Sequence, residues 1–180
     1  MTNLASELQI ALPSLITIDE DGEKFISFIN DSKYVTIPDN PTSHICSFFL
    51  PVHLPSKSMF LVHHKKAKDW IPPGGHIEKG EHPVQTVKRE FDEELGITLT
   101  KQRIELCALS IKDVHSPNRA CKTHYDLWYA VYFDELVPFQ YDKGEFFAAN
   151  WFSFKDGVKQ TQIQKYSEIL SQFLLRAAKF

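Results

Sequence analysis

The stretch Gly75-His76-Ile77-Glu78-Lys79-Gly80-Glu81, followed after seven residues by Arg89-Glu90-Phe91-Asp92-Glu93-Glu94-Leu95-Gly96-Ile97, decides how the rest of the chain is read. Four carboxylates fall between Glu90 and Glu94. Like charges at helical neighbour spacing repel one another, so this density asks for a counter-charge. The spacing predicts a helix over 82–95. Pro83 suits its first turn, where a missing N–H costs nothing. Glu81 stands just ahead, at the positive end of the helix dipole, and Gly96 is a C-terminal stop signal. At about 100° per residue, Val84, Val87, Phe91 and Leu95 form one apolar stripe. Glu90, Glu93 and Glu94 gather on a second stripe beside it, and Asp92 points elsewhere. Arg89 lies one turn before Glu93, within reach of a charge-assisted hydrogen bond.

An acidic helix face on its own reads as solvated surface. Here a tight loop, Ile71-Pro72-Pro73-Gly74-Gly75, leads into it. Paired glycines let the backbone approach a ligand closely. Carboxylate and carbonyl oxygens are the hard ligands that Mg²⁺ prefers, with water and substrate phosphate completing its shell. The loop and helix together point to an acidic edge built to hold a metal ion.

These residues resemble the Nudix box, G-x5-E-x7-R-E-U-x-E-E-x-G-U, where U is aliphatic or aromatic. Gly75, Glu81, Arg89, Glu90, Phe91, Glu93, Glu94, Gly96 and Ile97 fill every defined position. The box spans roughly an eighth of the 180 residues. Two further phrases add to the likeness, the lead-in from Trp70 to Glu78 and the run from Glu145 to Phe152. The resemblance implies an α/β Nudix fold, a mixed β-sheet sandwiched between α-helices, with the box as loop, helix and loop. It also implies hydrolysis, with Mg²⁺ or Mn²⁺, of a nucleoside diphosphate linked to another moiety.

Carried over by that resemblance, Glu90 and Glu94 are the first metal ligands, with Glu93 close behind and Gly74 contributing its carbonyl. Glu90 or Glu93 is the candidate inside the box for taking a proton from water. Glu145 is the candidate outside it, as base or as an added ligand. Arg89 is assigned to orienting a glutamate. Glu81 either structures the loop or reaches a metal through water. His76, in the box loop, and Lys66, in the basic run from Lys65 to Lys68, are candidates for touching phosphate. Trp70, Trp128 and Tyr141 are candidates for stacking on a base, with core packing the plainer role for each.

Outside the box, Leu4, Leu8 and Leu12 predict a helix before Pro13, and Phe25, Ile26, Phe28 and Ile29 a second one. A break follows over 38–41. Residues 1–41 therefore read as a helical extension packed on the core, a structural cover or, alternatively, a homodimer contact. Residues 42–180 read as the Nudix domain. Strands are expected over 43–50, 59–62, 104–111, 123–133 and 146–152. Loops are expected over 51–58, 63–68 and 137–144, and a mobile loop over 112–122. Thr161-Gln162-Ile163-Gln164 resembles a capping box. Ile163, Tyr166, Ile169, Leu170, Phe173, Leu174 and Ala177 then make the stripe of a C-terminal helix.

A chain of 180 residues that is 43% hydrophobic fits one ordinary domain. A net charge of -3 leaves no electrostatic footprint for long nucleic acid and favours a small nucleotide as partner. Cys46, Cys107 and Cys121 form no C-x-x-C pair and suit neither a disulfide framework nor a cysteine-rich zinc site. Reduced thiols in a cytoplasmic protein are the expectation. No signal-peptide pattern or membrane span is read. Neither His63-His64 nor His115, Cys121 and His124 show a recognised ligand spacing, so solvated or substrate-facing roles are expected of them. Two other functional classes share the scaffold. Non-catalytic modules usually lose box carboxylates, and this chain keeps them all. Isopentenyl-diphosphate isomerase places a cysteine near its metal site, where this chain has Pro72-Pro73-Gly74-Gly75-His76.

Overall fold

The structure is a computed structural model that describes residues 2–31, 35–114 and 120–177. In chain order it runs α1 (Thr2–Ala11), a 3₁₀ turn (Leu12–Ser14), α2 (Asp21–Asp31), β1 (Ser43–His53), β2 (Ser58–His64), β3 (Asp69–Ile71) and β4 (Gly74–His76). It continues with α3 (Pro83–Leu95), β5 (Arg103–Asp113), β6 (Thr123–Tyr132), β7 (Phe146–Ser153), α4 (Phe154–Gln160) and α5 (Gln164–Ala177).

The sheet is mixed. β1 lies parallel to β6 from Ser43 opposite Thr123 to Val52 opposite Tyr132. β5 pairs antiparallel with the far side of β6. β1 meets β2 only at Val52 opposite Met59 and His53 opposite Ser58. Beyond that point the two strands part like the arms of a fork. β3 pairs with β2 on one arm, and β4 pairs with Cys46 to Phe48 of β1 on the other. β7 completes the β2 side. The Pro73 carbonyl, at the turn between β3 and β4, accepts the Phe49 N–H at 2.9 Å. The box loop is thereby fixed inside the fork.

β1 is buried along nearly its whole length, as expected of a strand covered on both faces. Successive side chains of a strand point to opposite faces, and Phe48 and Phe49 show both. Phe49 meets Phe91 of α3, with ring centroids 4.8 Å apart. Phe48 meets Tyr166 of α5 at 5.5 Å and Trp128 at 5.6 Å. The sheet is thus sandwiched between helices, as the box resemblance implies.

Residues 2–31 pack directly on this core. Leu4, Leu8, Leu15, Ile16 and Phe25 are buried, and the Phe28 ring stacks on Tyr125 at 3.7 Å. Ile16 extends the sheet by one bridge. Its N–H donates to the Cys107 carbonyl, and its own carbonyl accepts the Leu109 N–H, both at 2.9 Å. That bridge covers part of the β5 edge, which would otherwise invite pairing with another chain. Asp21 accepts the Ile111 N–H at 2.9 Å and the Lys165 ammonium at 2.8 Å, joining α2 to β5 and α5.

Several boundaries differ from the sequence reading. β1 runs through Pro51 to His53, into the expected 51–58 loop. β2 reaches His64 and shortens the 63–68 loop. β3 and β4 occupy what reads as loop, and α4 was not foreseen. β5 extends to Asp113; the centre of the expected mobile loop, 115–119, lies outside the described residues. Among the described residues, no helix is long and apolar enough to cross a membrane.

Candidate active site

α3 begins at His82, whose side chain caps the helix. His82 Nδ1 accepts the Val84 N–H at 3.4 Å, and the His82 backbone N–H donates to Gln85 Oε1 at 2.7 Å. Pro83 fills the first turn and Gly96 closes the helix at φ 67. Val87, Phe91 and Leu95 are fully buried behind it; Val84 is only half-buried.

The acidic stripe divides. Glu94 is 5% exposed and its Oε2 accepts the Gly74 N–H at 2.9 Å. Glu90 keeps 14% of its side chain exposed, whereas Glu93 keeps 58%. Glu90 and Glu94 line a cleft of about 570 Å³. Glu93, grouped with them by helical spacing, stands at the solvent side of Arg89 instead. The reason is angular: Glu93 is one step of about 100° from Glu94, and a buried position already taken by Glu94 leaves Glu93 outward. Asp92 points away, as expected, and its Oδ1 accepts the Thr98 hydroxyl at 2.7 Å.

Arg89 ties the box together. Nε and Nη2 donate to the two Glu81 oxygens at 2.8 and 3.1 Å. Nη1 donates to Glu90 Oε1 at 2.8 Å and to Glu93 Oε2 at 3.1 Å, and Nη2 also reaches the His76 carbonyl at 3.2 Å. Glu81 additionally accepts the Thr86 hydroxyl and the Glu78 N–H. These contacts tie Glu81 to both the box loop and α3. The Arg89 guanidinium holds the Glu81 carboxyl down at about 2. Glu90 moves the other way: burial raises its pKa against the pull of Arg89. Burial, then the charges of Glu90 and Glu145, raises Glu94 well above the usual carboxylate range.

The Glu81 shift has a measurable consequence. A carboxyl with a depressed folded pKa contributes stability above its unfolded value, near 4.5, and loses it as pH falls toward about 2. Arg89→Met keeps the aliphatic stem and removes the charge. The expected loss at pH 7 is about 3 kcal/mol. Urea unfolding at pH 7 and pH 3 checks it: the gap between parent and variant should narrow in acid.

Gly75 lets Glu90 approach the loop. A Cβ there would lie 1.9 Å from Glu90 Oε1 and 2.4 Å from its Cδ. Gly75→Ala therefore displaces a carboxylate but clashes with no backbone. A displacement near 1 Å costs catalysis on the order of a hundredfold. The expected result is such a fall in kcat with a thermal midpoint close to the parent's.

The third carboxylate arrives from a distant loop. Glu145 precedes β7 and lines the same cleft as Glu90 and Glu94. The Lys65 N–H donates to the Glu145 carbonyl at 2.9 Å, and the Asp142 N–H donates to the Glu94 carbonyl at 2.8 Å. The loop is thus pinned to β2 and to the end of α3. Glu145 lies 3.9 Å from His64 Nε2 and 4.0 Å from Lys66 Nζ. Gly74, His76, Lys66 and Lys112 also line the cleft. Trp70 lies outside it, with its ring stacked on His63 at 5.3 Å and edge-on to Phe152 at 4.9 Å. Trp128 is core, its Nε1 donating to Ser110 Oγ at 2.9 Å. Tyr141 packs against the core. Sequence spacing missed one constellation, His44, His76, Cys121 and His124, whose ligand atoms converge in space. A second, mostly apolar cavity of about 420 Å³, between β5 and α5, contains no box residue.

The family model of the NUDIX domain matches residues 45–173. This chain belongs to the Nudix hydrolase family. The match covers the fork, the box helix, the cleft lysines Lys66 and Lys112, and most of α5. Among relatives, the Nudix chain is 28% identical over 114 residues to the m7GpppN-mRNA hydrolase NUDT17 of Danio rerio. That alignment takes in 59% of this chain and 33% of the relative, so the chain spans about a third of the relative's length. Among solved structures, it superimposes on the E. coli dihydroneopterin triphosphate pyrophosphohydrolase with a TM-score of 0.65 at 16% identity, covering 80% of this chain and 99% of that one. The C. elegans Ap4A hydrolase gives a TM-score of 0.59 at 21% identity, over 75% and 99% of the two chains. These likenesses establish the Nudix fold.

Proposed function

We propose that this Nudix hydrolase is a divalent-metal-dependent pyrophosphohydrolase that cleaves the phosphoanhydride of a small nucleoside diphosphate derivative. The observation that carries this reading is the convergence of Glu90, Glu94 and Glu145 on one cleft beside the Gly74-Gly75 backbone. Like charges brought together and partly buried favour a cation among them. The donor set is all hard oxygen, which fits Mg²⁺ or Mn²⁺. Glu90 and Glu94 would hold the ion, with the Gly74 carbonyl as a further donor. When bound, such an ion neutralises phosphate charge and lowers the pKa of coordinated water.

The chain's own residues do the rest. Arg89 locks the Glu90 rotamer through its Nη1 hydrogen bond. The Gly74 N–H orients Glu94. Lys66 and Lys112 set positive charge on the cleft wall, where it attracts phosphate oxygens. Glu145 takes the proton of the attacking water at a carboxylate oxygen, with His64 and Lys66 beside it. His76 lines the same cleft from β4. The compounds named for two relatives, m7GpppN-mRNA and dihydroneopterin triphosphate, share the phosphoanhydride. The mild net charge of -3 favours the small nucleotide over long RNA.

The test is a panel of ADP-ribose, nucleoside triphosphates, dinucleoside polyphosphates and capped RNA, incubated with the full chain and Mg²⁺. Release of phosphate products from a small member of the panel, abolished by chelator, is expected. Full turnover in excess chelator, or cleavage of capped RNA alone, would overturn the metal or the substrate assignment respectively.

A further inference from the structure

A second set of metal-ligating side chains, two of which line the cleft, is made of nitrogen and sulfur rather than oxygen. Strand register assembles it. His44 of β1 lies directly opposite His124 of β6, and His76 of β4 lies opposite Cys46, two residues along β1 from His44. Alternation along a strand therefore brings His44, His76 and His124 to one face of the sheet. Their rings form a triangle with centroids 4.7, 5.3 and 5.3 Å apart. Cys121, two residues before β6, completes the group. One ligand atom from each of the four lies within 4.8 Å of all the others.

We infer that His44, His76, Cys121 and His124 form a tetrahedral site for a borderline-soft divalent cation, Zn²⁺ foremost, distinct from the carboxylate site. The donor chemistry selects the ion: imidazole and thiolate suit zinc, whereas Mg²⁺ takes oxygen. The geometry agrees. Tetrahedral zinc with ordinary Zn–N and Zn–S bonds sets ligand atoms about 3.3 to 3.6 Å apart, and Cys121 Sγ lies 3.4 Å from His44 Nε2. His44 is fully buried and its Nδ1 is 2.9 Å from the Asn40 carbonyl. That contact fixes the tautomer and leaves Nε2 toward the thiol, which is how ligating imidazoles are oriented. Asp126, fully buried, has a carboxylate oxygen within 4.8 Å of a His124 ring nitrogen.

Four protein ligands close a zinc site, so its role is structural. It ties β4 to β1, β6 and the segment leading into β6. β4 holds Gly75, against which Glu90 rests, and the His76 carbonyl that Arg89 grips. The zinc site thus fastens the floor under the carboxylates.

Cobalt spectroscopy on the full chain, freed of metal and then titrated with Co²⁺ in excess Mg²⁺, tests this. The expected result is one equivalent bound with intense visible bands of tetrahedral geometry and a near-ultraviolet thiolate charge-transfer band, all discharged by Zn²⁺. Cys121→Ser should lose the charge-transfer band, and Glu94→Gln should keep it. Zn²⁺ should raise the thermal midpoint of the parent by roughly 5 to 10 °C at a hundredfold excess over its Kd, and that of His124→Gln much less. Pale octahedral bands with no charge transfer in the parent would overturn the site, and this result does not depend on any variant folding. So would bands that vanish in Glu94→Gln and persist in Cys121→Ser. Neither outcome touches the pyrophosphohydrolase reading, which rests on Glu90, Glu94 and Glu145.

Discussion

Glu94→Gln is expected to lose turnover by on the order of a hundredfold or more while making the metal-free protein more stable at neutral pH. The two effects have one cause. Glu94 is 5% exposed and shares the cleft with Glu90, one turn earlier on α3, and with Glu145. Its charge is costly in the resting protein, as its strongly raised pKa records. A carboxyl with a raised folded pKa contributes stability below its unfolded value, near 4.5, and loses that stability as pH rises through the folded value. At pH 7 the parent therefore carries a penalty that glutamine removes. Glutamine also keeps an oxygen able to accept the Gly74 N–H. What it lacks is the charge that would hold the cation, and electrostatic contacts of that kind act on the transition state. Asp92→Asn is the control. It removes the same charge two residues away, at an exposed side chain whose oxygen can still accept the Thr98 hydroxyl. It should change stability by less than about 0.5 kcal/mol and leave kcat unaltered. Kinetics and thermal melts on both variants, without and with Mg²⁺, settle the matter. Equal activity losses would mean that diffuse negative charge, not coordination by Glu94, is what the helix supplies.

Gly74→Ala is expected to be the most destabilising single methyl group in the chain. Gly74 adopts φ +148, which side-chain-bearing residues rarely adopt. Its added Cβ would lie 2.3 Å from the Ser47 carbonyl oxygen and 2.7 Å from the Phe48 Cα. Both atoms are backbone of the buried central strand β1 and cannot rotate away. Relief requires β4 to leave β1, which also withdraws the Gly74 N–H from Glu94. A cost on the order of 3 to 5 kcal/mol follows, in the range reserved for strained backbone and lost buried bonds. For a chain of this length the thermal midpoint should fall by roughly 10 °C. A midpoint within about 2 °C of the parent would show that β4 can shift at little cost. The neighbouring Gly75→Ala meets a side chain rather than a backbone, so the two substitutions separate stability from catalysis one residue apart.

What was legible in the sequence was what local periodicity encodes. The α3 helix and its buried Val87, Phe91 and Leu95 follow from spacing, its Gly96 stop and the long strand from Thr123 from residue type. Where the reading failed, tertiary pairing overrode local signals. Pro51 reads as a strand breaker, yet β1 continues through it. The N–H that it lacks faces away from β6, on the side where the Phe49 N–H meets Pro73 and regular pairing with β2 starts only at Val52. β3 and β4 flank two prolines and exist because the fork offers each an open edge. α4 hides behind Gly157, a poor helix former whose missing side chain makes room for Met59. At the site, helical spacing grouped Glu93 with Glu90 and Glu94, but it carries no information on which of three neighbours faces inward. Trp70 looked available to a base because an aromatic beside a glycine loop gives no hint of a His63 ring waiting to cover it. The histidine and cysteine cluster was invisible because its members sit on three separate segments, at β1, β4 and the start of β6, brought together by strand register.

The parallel pairing of β1 with β6 also governs how this molecule comes into being. As the chain leaves the ribosome, β1 emerges well before β6 and meets β2 only at its last two residues. Its principal neighbour is not made until Thr123 to Tyr132 follow, and β6 must then lodge between β1 and β5. Until then an apolar strand stands with an open edge, the condition under which nascent chains associate wrongly. Non-local pairing of this kind also slows folding. The α3 carboxylates wait longer still, because Glu145 and β7 come after β6. A growing chain therefore acquires its acidic helix well before the wall that completes the cleft.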